Sequence, residues 1–274
     1  MAIPTFVFID GSYFIFYRYY ALVQWWGLAK ETPIGNPIEN EEFILKFKST
    51  FKKSINDITK RLNLPINSVF MLGKDCSRQS IWRNQLHPDY KQTRIGDSNV
   101  GPIFKMVYNE NLFEEGGINT ILEYPGLEAD DCIALTTKYV NAKYPEANIY
   151  IITSDTDYLQ LYKSNVHIYN LKYKPLNESK NCNNNPEKDL FCKTVMGDKS
   201  DNIPSIFPKC GIKTALKCYE DAAYFENKLN SIVGSRERLE LNRTLIDFNN
   251  IPEDLKRSFY MDTLKINEDD IKHI

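Results

Sequence analysis

An α/β fold with a mainly parallel central sheet is what this sequence predicts, on three observations. Four short runs are rich in β-branched and aromatic residues, segments of helical period lie between them, and three of the four runs are followed closely by aspartate.

The first run, TFVFI (5–9), ends at Asp10. The segment EFILKFKSTFKKSINDITKRL (42–62) puts Phe43, Phe47, Phe51, Ile55, Ile58 and Leu62 near one helical face. Lys46, Lys48, Lys52, Lys53 and Lys60 fall on its other side. SVFML (68–72) is the second strand, with Asp75 just beyond it. GLEADDCI (126–133) then places Glu128, Asp130 and Asp131 where an apolar helix is about to start, and the positive end of a helix dipole tolerates such charge. Spacing puts Glu128 and Asp131 on one face of that helix and points Asp130 elsewhere. IYIIT (149–153) is followed by Asp155 and Asp157, and VHIYN (166–170) is the fourth strand. KPLNESKNCNNNPEKD (174–189) reads as a surface loop or hairpin excursion. Asp198 and Asp201, in GDKSDNIP, repeat the three-residue spacing, and the last 50 residues are helical in pattern without a motif.

The 274 residues suffice for one large domain or two small ones, and 42% hydrophobic with 13% aromatic residues excludes wholesale disorder. A net charge of −2 confines any nucleic-acid surface to a local patch. Six cysteines without a C-x-x-C pair and three scattered histidines argue against a zinc cage and for reduced thiols. The apolar stretch TFVFIDGSYFIFYRYYALVQWW is interrupted by Asp10 and Arg18 and lacks a basic flank, so it reads as neither signal peptide nor membrane span. The expectation is a soluble, cytoplasmic chain.

Parallel sheets bind ligands at the carboxyl ends of their strands. Nine carboxylates gathered there repel one another, by roughly 3 kcal/mol for a pair about 5 Å apart at an effective dielectric near 20. Oxygen ligands without histidine or cysteine select a hard ion, Mg²⁺ or Mn²⁺. Each piece alone has a plainer reading: a D-x-D is usually a turn or cap, Asp10 a turn residue, EADD a charged helix start. Phosphatases and nucleotide-sugar transferases share such strand ends.

The stretch KDCSRQSIWRNQLHPDYKQTR (74–94) interleaves Lys74, Arg78, Arg83, Lys91 and Arg94 with Trp82 and Tyr90. Cations with aromatics suit a polyphosphate strand carrying unstacked bases. The alternative is a solvated amphipathic helix with Trp82 and Leu86 inward.

FIDGSYFIFYR, WRNQLHPDYKQTR, GLEADD, TSDTDYLQL and GDKSDNIP…KTA occur in this order, and over about residues 5–220 the chain resembles the 5′ nucleases. This is the flap endonuclease and 5′→3′ exonuclease family of bacterial DNA polymerases and phages, and the EADD form is similar to that branch. The resemblance implies a PIN-like core with a mainly parallel sheet flanked by helices and a helical arch insertion at about 76–120. It also implies a C-terminal helical DNA-binding region with a helix-turn-helix-type motif, the division lying between 1–190 and 191–274. Carried over by position, Asp10, Asp75, Glu128, Asp130 and Asp131 serve mainly a first Mg²⁺. Asp155, Asp157 and Asp201 place a second, with Asp198 in support and Mn²⁺ able to substitute. Arg83, Lys91 and Arg94 look like the arch residues that grip the scissile phosphate region, making Lys91, Arg83 and Asp155 the catalytic set. Tyr90 resembles an aromatic that stacks on a nucleobase, and Lys213 and Thr214 resemble duplex phosphate contacts.

The activity so implied is hydrolysis of DNA at a flap, nick or free 5′ end by a monomer in replication or repair, leaving a 5′ phosphate and a 3′ hydroxyl. A ribonuclease acting on RNA primers in RNA–DNA hybrids and a junction-binding module without cleavage are the alternatives. The family's duplex-binding loop reads close to IPGVPGIGPKTA, whereas this chain has IPSIFPKCGIKTA. Two missing glycines and one extra residue argue against a K⁺ site there.

Overall fold

A computed structural model of the chain describes residues 3–30, 34–94, 100–179, 182–272 and 274. Five parallel strands form one sheet in the order β3-β2-β1-β4-β5: β1 (Thr5–Asp10), β2 (Val69–Gly73), β3 (Thr120–Leu122), β4 (Asn148–Ile152) and β5 (Val166–Tyr169). The four expected strands agree with their observed counterparts to within a residue at each end. β3 is the addition; three residues are too few for alternation to show in a sequence. The chain leaves β1 in one direction for β2 and β3 and returns on its other side as β4, so the strand order reverses between β1 and β4. A crevice opens at the carboxyl ends of strands at such a reversal.

Helices cover both faces. α1 (Gly11–Ala29) starts directly from β1, with Asp10 as its cap, the carboxylate accepting from Tyr13 N at 3.0 Å. α2 (Glu41–Arg61) is capped by Asn40, which accepts from Phe43 N at 3.0 Å, and buries Phe43, Phe47, Phe51, Ile55 and Ile58 as its period predicts. α3 (Val100–Asn109) and α4 (Leu112–Glu115) complete this layer, which packs on Val7 and Ile9. The intervening Phe8 points to the opposite layer, formed by α5 (Ala129–Lys143).

α6 (Pro186–Met196), α7 (Ile212–Glu220), α8 (Ala222–Ser231) and α9 (Ser235–Ile246) follow. They enclose a smaller core of Cys192, Val195, Ile206, Phe207, Ala215, Cys218 and Leu229. α10 (Glu253–Asp262) returns to the sheet, where Phe259 and Tyr260 join the core under α5 together with Phe248 and Ile251.

Three sequence expectations look different in place. The boundary at 190/191 falls inside α6, and part of the presumed C-terminal region belongs to the main core. Residues 76–94 contain two short 3-10 turns, Arg78–Ser80 and Trp82–Gln85, rather than a helix, and 95–99 lie outside the described residues. Leu86 is 47% exposed while Trp82 is buried, so the inward pair of an amphipathic helix does not form. The 174–189 stretch buries Leu176 in a 3-10 turn and gives its last residues to α6. Among the described residues, no helix is long and apolar enough to cross a membrane.

Candidate metal centre at the carboxyl edge of the sheet

A cavity of about 360 Å³, lined also by Glu128, receives a further carboxylate from each of the first four strands: Asp10 from β1, Asp75 after β2, Asp130 from the helix after β3, and Asp155 after β4. Local hydrogen bonds set their orientation. Ser12 Oγ donates to Asp75 Oδ2 at 2.5 Å, and Ala129 N donates to Asp75 Oδ1 at 2.9 Å. Thr153 Oγ1 donates to Asp10 Oδ2 at 3.2 Å and accepts from Asp155 N at 3.1 Å, tying together the two sides of the strand-order reversal. Asp155 also caps the turn that follows it, accepting from Asp157 N at 2.9 Å.

Among the described residues, none of these four carboxylates has an ion-pair partner. Burial first, and then the Asp75 charge, push Asp10 up to about 7. Burial and the adjacent Asp131 and Glu128 charges hold Asp130 well above the ordinary carboxylate range. Cys76 also lines the cavity, but burial raises its thiol and keeps it protonated. The donor set is therefore carboxylate oxygen with unbalanced charge, which suits a hard divalent cation.

The other five acidic positions are balanced by protein cations. Arg83 is 2% exposed, and its guanidinium forms a fork on Asp131 (Nη1–Oδ2 2.8 Å, Nη2–Oδ1 2.7 Å) while reaching Glu128 Oε2 at 2.9 Å and Leu245 O at 2.7 Å. Trp82 Nε1 adds a bond to Asp131 Oδ2 at 3.1 Å. Lys91 Nζ lies 2.5 Å from Glu128 Oε1. Burial opposes the Glu128 charge, but the Lys91 ammonium and Arg83 guanidinium outweigh it and hold this carboxyl below its usual range. Asp201 pairs with Arg94 and, at 3.6 Å, with Lys91. Lys193 of α6 pairs with Asp157 and, at 3.0 Å, with Asp198. Against the cost of burial, that lysine draws Asp198 down to about 2. Glu128, Asp130 and Asp131 have carboxylate oxygens within 4.8 Å of one another, as do Asp157, Asp198 and Asp201. Since cations already sit in both trios, the unbalanced four carry the stronger signal.

This arrangement corrects two expected roles. Arg83 does not line the cavity; four of its five N–H donors are taken up behind the carboxylates by Asp131, Glu128 and Leu245 O. Tyr90 is 4% exposed and packs among Ile81, Ile203, Leu245 and Ile246, with its hydroxyl 2.9 Å from Glu128 Oε2, so its ring offers no face to a base. Asp131 is likewise fully buried against Arg83 and does not line the cavity. Lys91 and Arg94 do line it, together with Arg78. Arg78 holds the turn that carries them, donating to Lys91 O and, at 3.1 Å, to Arg94 O. Lys213 is exposed and Thr214 half-buried in the first turn of α7, where helix N–H groups favour an anion. The loop before it buries Ile206 and Phe207 in the helical core, with Ser205 Oγ donating to Phe207 O at 2.7 Å. Its extra length is thus used as core.

Sequence reading missed Lys193, Thr153 and Ser12. The hydroxyls follow strand ends that carry aspartates, a usable signal. Lys193 had none, because its place depends on α6 packing across the turn after β4.

Residues 5–188 match the family model described as 5′-3′ exonuclease, N-terminal resolvase-like domain. A 5′-3′ exonuclease of Buchnera aphidicola (subsp. Acyrthosiphon pisum) is 32% identical over 235 residues, covering 82% of this chain and 73% of that protein. DNA polymerase I of Rhizobium leguminosarum is 26% identical over 258 residues, 91% of this chain but 24% of the polymerase. The fold is similar to that of the bacteriophage T5 flap endonuclease solved as a pseudo-enzyme–product complex with DNA and metal ions. The TM-score is 0.64 at 18% identity, over 96% of this chain and 98% of the other.

Proposed function

This chain belongs to the 5′-3′ exonuclease family, and we propose that it is a structure-specific 5′ nuclease that cuts DNA at a flap, nick or free 5′ end. The observation that carries this reading is the cavity in which Asp10, Asp75, Asp130 and Asp155 converge without a protein cation, beside a rim of Arg78, Lys91 and Arg94. Acid below and base around it suit a phosphodiester held against metal. Two divalent ions, Mg²⁺ first and Mn²⁺ in substitution, would supply an activated water and neutralise charge on the phosphate.

The chain's own residues do the rest. The four strand-end carboxylates would hold the ions, with Glu128 contributing from the cavity wall. Asp157 and Asp198, paired here with Lys193, and Asp201, paired with Arg94 and Lys91, would help place the second. Thr153 and Ser12 fix the rotamers of Asp10 and Asp75. Lys91 stays charged although burial opposes it, because Glu128 holds its proton, and it presents that charge where negative charge gathers during cleavage. Lys213 and Thr214 hold a duplex phosphate at the start of α7. Arg83 and Asp131 are positioning residues. A replication or repair setting is supported by the likeness to the polymerase segment. The core shared by α6, α7 and α8 supports a duplex-binding unit among these helices.

The test is a 5′-labelled flap on a nicked duplex with Mg²⁺, beside EDTA and Asp155→Asn controls and an RNA flap of the same geometry. Release of product near the branch that needs both Mg²⁺ and Asp155 is the expected result. DNA bound but uncut under Mg²⁺ and Mn²⁺ alike would sink the nuclease reading, and preference for the RNA flap would move it to a ribonuclease.

A further inference from the structure

The lysine on the cavity rim has a backbone that lysine disfavours. Lys91 sits at φ +56, in the left-handed region, and among the described residues it is the only one lining the cavity to do so. A side chain with a Cβ persists there only where its surroundings hold it. Both sides of Lys91 are held. Its N–H donates to Asp201 O at 3.0 Å, and its carbonyl accepts from Arg94 N at 3.1 Å and from Arg78 Nη2. Arg78 Nη1 donates to Arg94 O at 3.1 Å, so one guanidinium bridges both ends of the 91–94 turn. Asn84 Nδ2 donates to Arg78 O at 2.7 Å and anchors the arginine's own backbone. Arg78 is exposed at the cavity beside Asp10, Asp75, Glu128, Asp130 and Asp155, yet among the described residues it pairs with no carboxylate.

We propose that Arg78 is a positioning residue for cleavage, its fork on the Lys91 and Arg94 carbonyls keeping the Lys91 backbone left-handed and the Lys91 ammonium aimed into the cavity. The inference rests on the nuclease reading above, in which that ammonium meets the charge gathering on the phosphate. In the observed backbone the ammonium lies 2.5 Å from Glu128 Oε1 and 3.6 Å from Asp201 Oδ2. Relaxation of φ to a right-handed or extended value would turn the Cα–Cβ bond and swing the ammonium, at the far end of the side chain, off the rim. A planar guanidinium suits two fixed acceptors on one turn. Spending its donors on carbonyls also leaves the cavity carboxylates free for cations.

Arg78→Met keeps the aliphatic stem and removes the fork. Single-turnover cleavage of the 5′-labelled flap is measured for wild type, Arg78→Met, Lys91→Ala and the double variant. Wild type and Arg78→Met, free of DNA and in EDTA, are also melted and digested with limiting trypsin. The maximal rate of Arg78→Met should fall about 100-fold, the loss expected when a reacting group is misplaced by about an ångström. The protein concentration giving half that rate should change little. In the Lys91→Ala background the same substitution should add no further loss. Trypsin should cut Arg78→Met faster after Lys91 and Arg94, at an unchanged thermal midpoint. Equal losses in both backgrounds, with digestion at the wild-type rate, would make Arg78 a phosphate contact in its own right and overturn the inference while the nuclease reading stands. A loss accompanied by a lower thermal midpoint assigns the arginine to the fold and also overturns it. Wild type that leaves the flap uncut removes the nuclease reading and the inference with it.

Discussion

Arg83 shows how far a residue's chemistry can diverge from its residue type. An arginine in a basic stretch invites a phosphate, yet here it neutralises two carboxylates in the interior. Arg83→Met would leave Glu128 and Asp131 buried without their guanidinium, a loss of about 3–5 kcal/mol. Urea unfolding should show that drop, whereas a phosphate-gripping role predicts near-normal stability with weakened DNA binding. Asp10 gives the complementary case. Its carboxyl lies at about 7 in the fold, far above the unfolded value near 3.8, so the native state holds a proton that the unfolded chain has released. That contribution is fully present below pH ~4 and is lost as pH rises through ~7. In EDTA, Asp10→Asn should match wild type below pH ~4 and exceed it in stability near pH 8, by an amount on the order of a few kcal/mol. Saturating Mg²⁺ should reverse the order at pH 8. Parallel melting curves at all pH values would refute the shifted Asp10.

Among elements, the basic segment and the Asp198–Asp201 turn behave as one piece. Lys91 N donates to Asp201 O at 3.0 Å, Thr93 Oγ1 to Asn202 Oδ1 at 2.5 Å, and His87 Nε2 lies 2.9 Å from Asn202 O. The turn is aimed by Gly197, which ends α6 at φ +70, where an added Cβ would lie 2.4 Å from Ile203 O and 2.5 Å from Pro204 O. The atoms it would meet belong to the 203–204 backbone, which cannot yield as a flexible side chain would. Gly197→Ala should therefore cost more than about 2 kcal/mol and release the Lys91 turn from the cavity rim. Limited trypsin digestion would detect it as faster cutting after Lys91 or Arg94. Digestion at the wild-type rate would uncouple the two elements.

Across the whole molecule, the chain closes on itself. The last helices look in sequence like a continuation of a DNA platform, but Phe259 is fully buried in the core beneath α5. Phe259→Ala should remove about 3–5 kcal/mol from the main unfolding transition, although every strand of the sheet lies far earlier in the chain. An unchanged denaturant midpoint would mean that α10 merely leans on the sheet. Leu229→Ala, confined to the smaller helical core, should leave Mn²⁺ binding at the sheet edge intact while weakening duplex binding. Loss of ion binding would show the two cores to be one cooperative unit.

The sequence by itself determined four of the five strands, their order in the chain and the aspartates that follow three of them. Alternation, helical period and strand-end chemistry are local properties, written within a few residues of one another. It also placed the carboxylates of EADD at a helix start. Family membership could be reached from the five ordered motifs, which depend on order and type alone. Tertiary structure decided which charges are balanced. Whether a lysine or arginine meets substrate or carboxylate depends on what lies across from it, and those partners are remote in sequence: Arg83 and Leu245, Lys91 and Asp201. Ion pairing is likewise a property of the packed molecule, and it separates four carboxylates without a protein cation from five that have one.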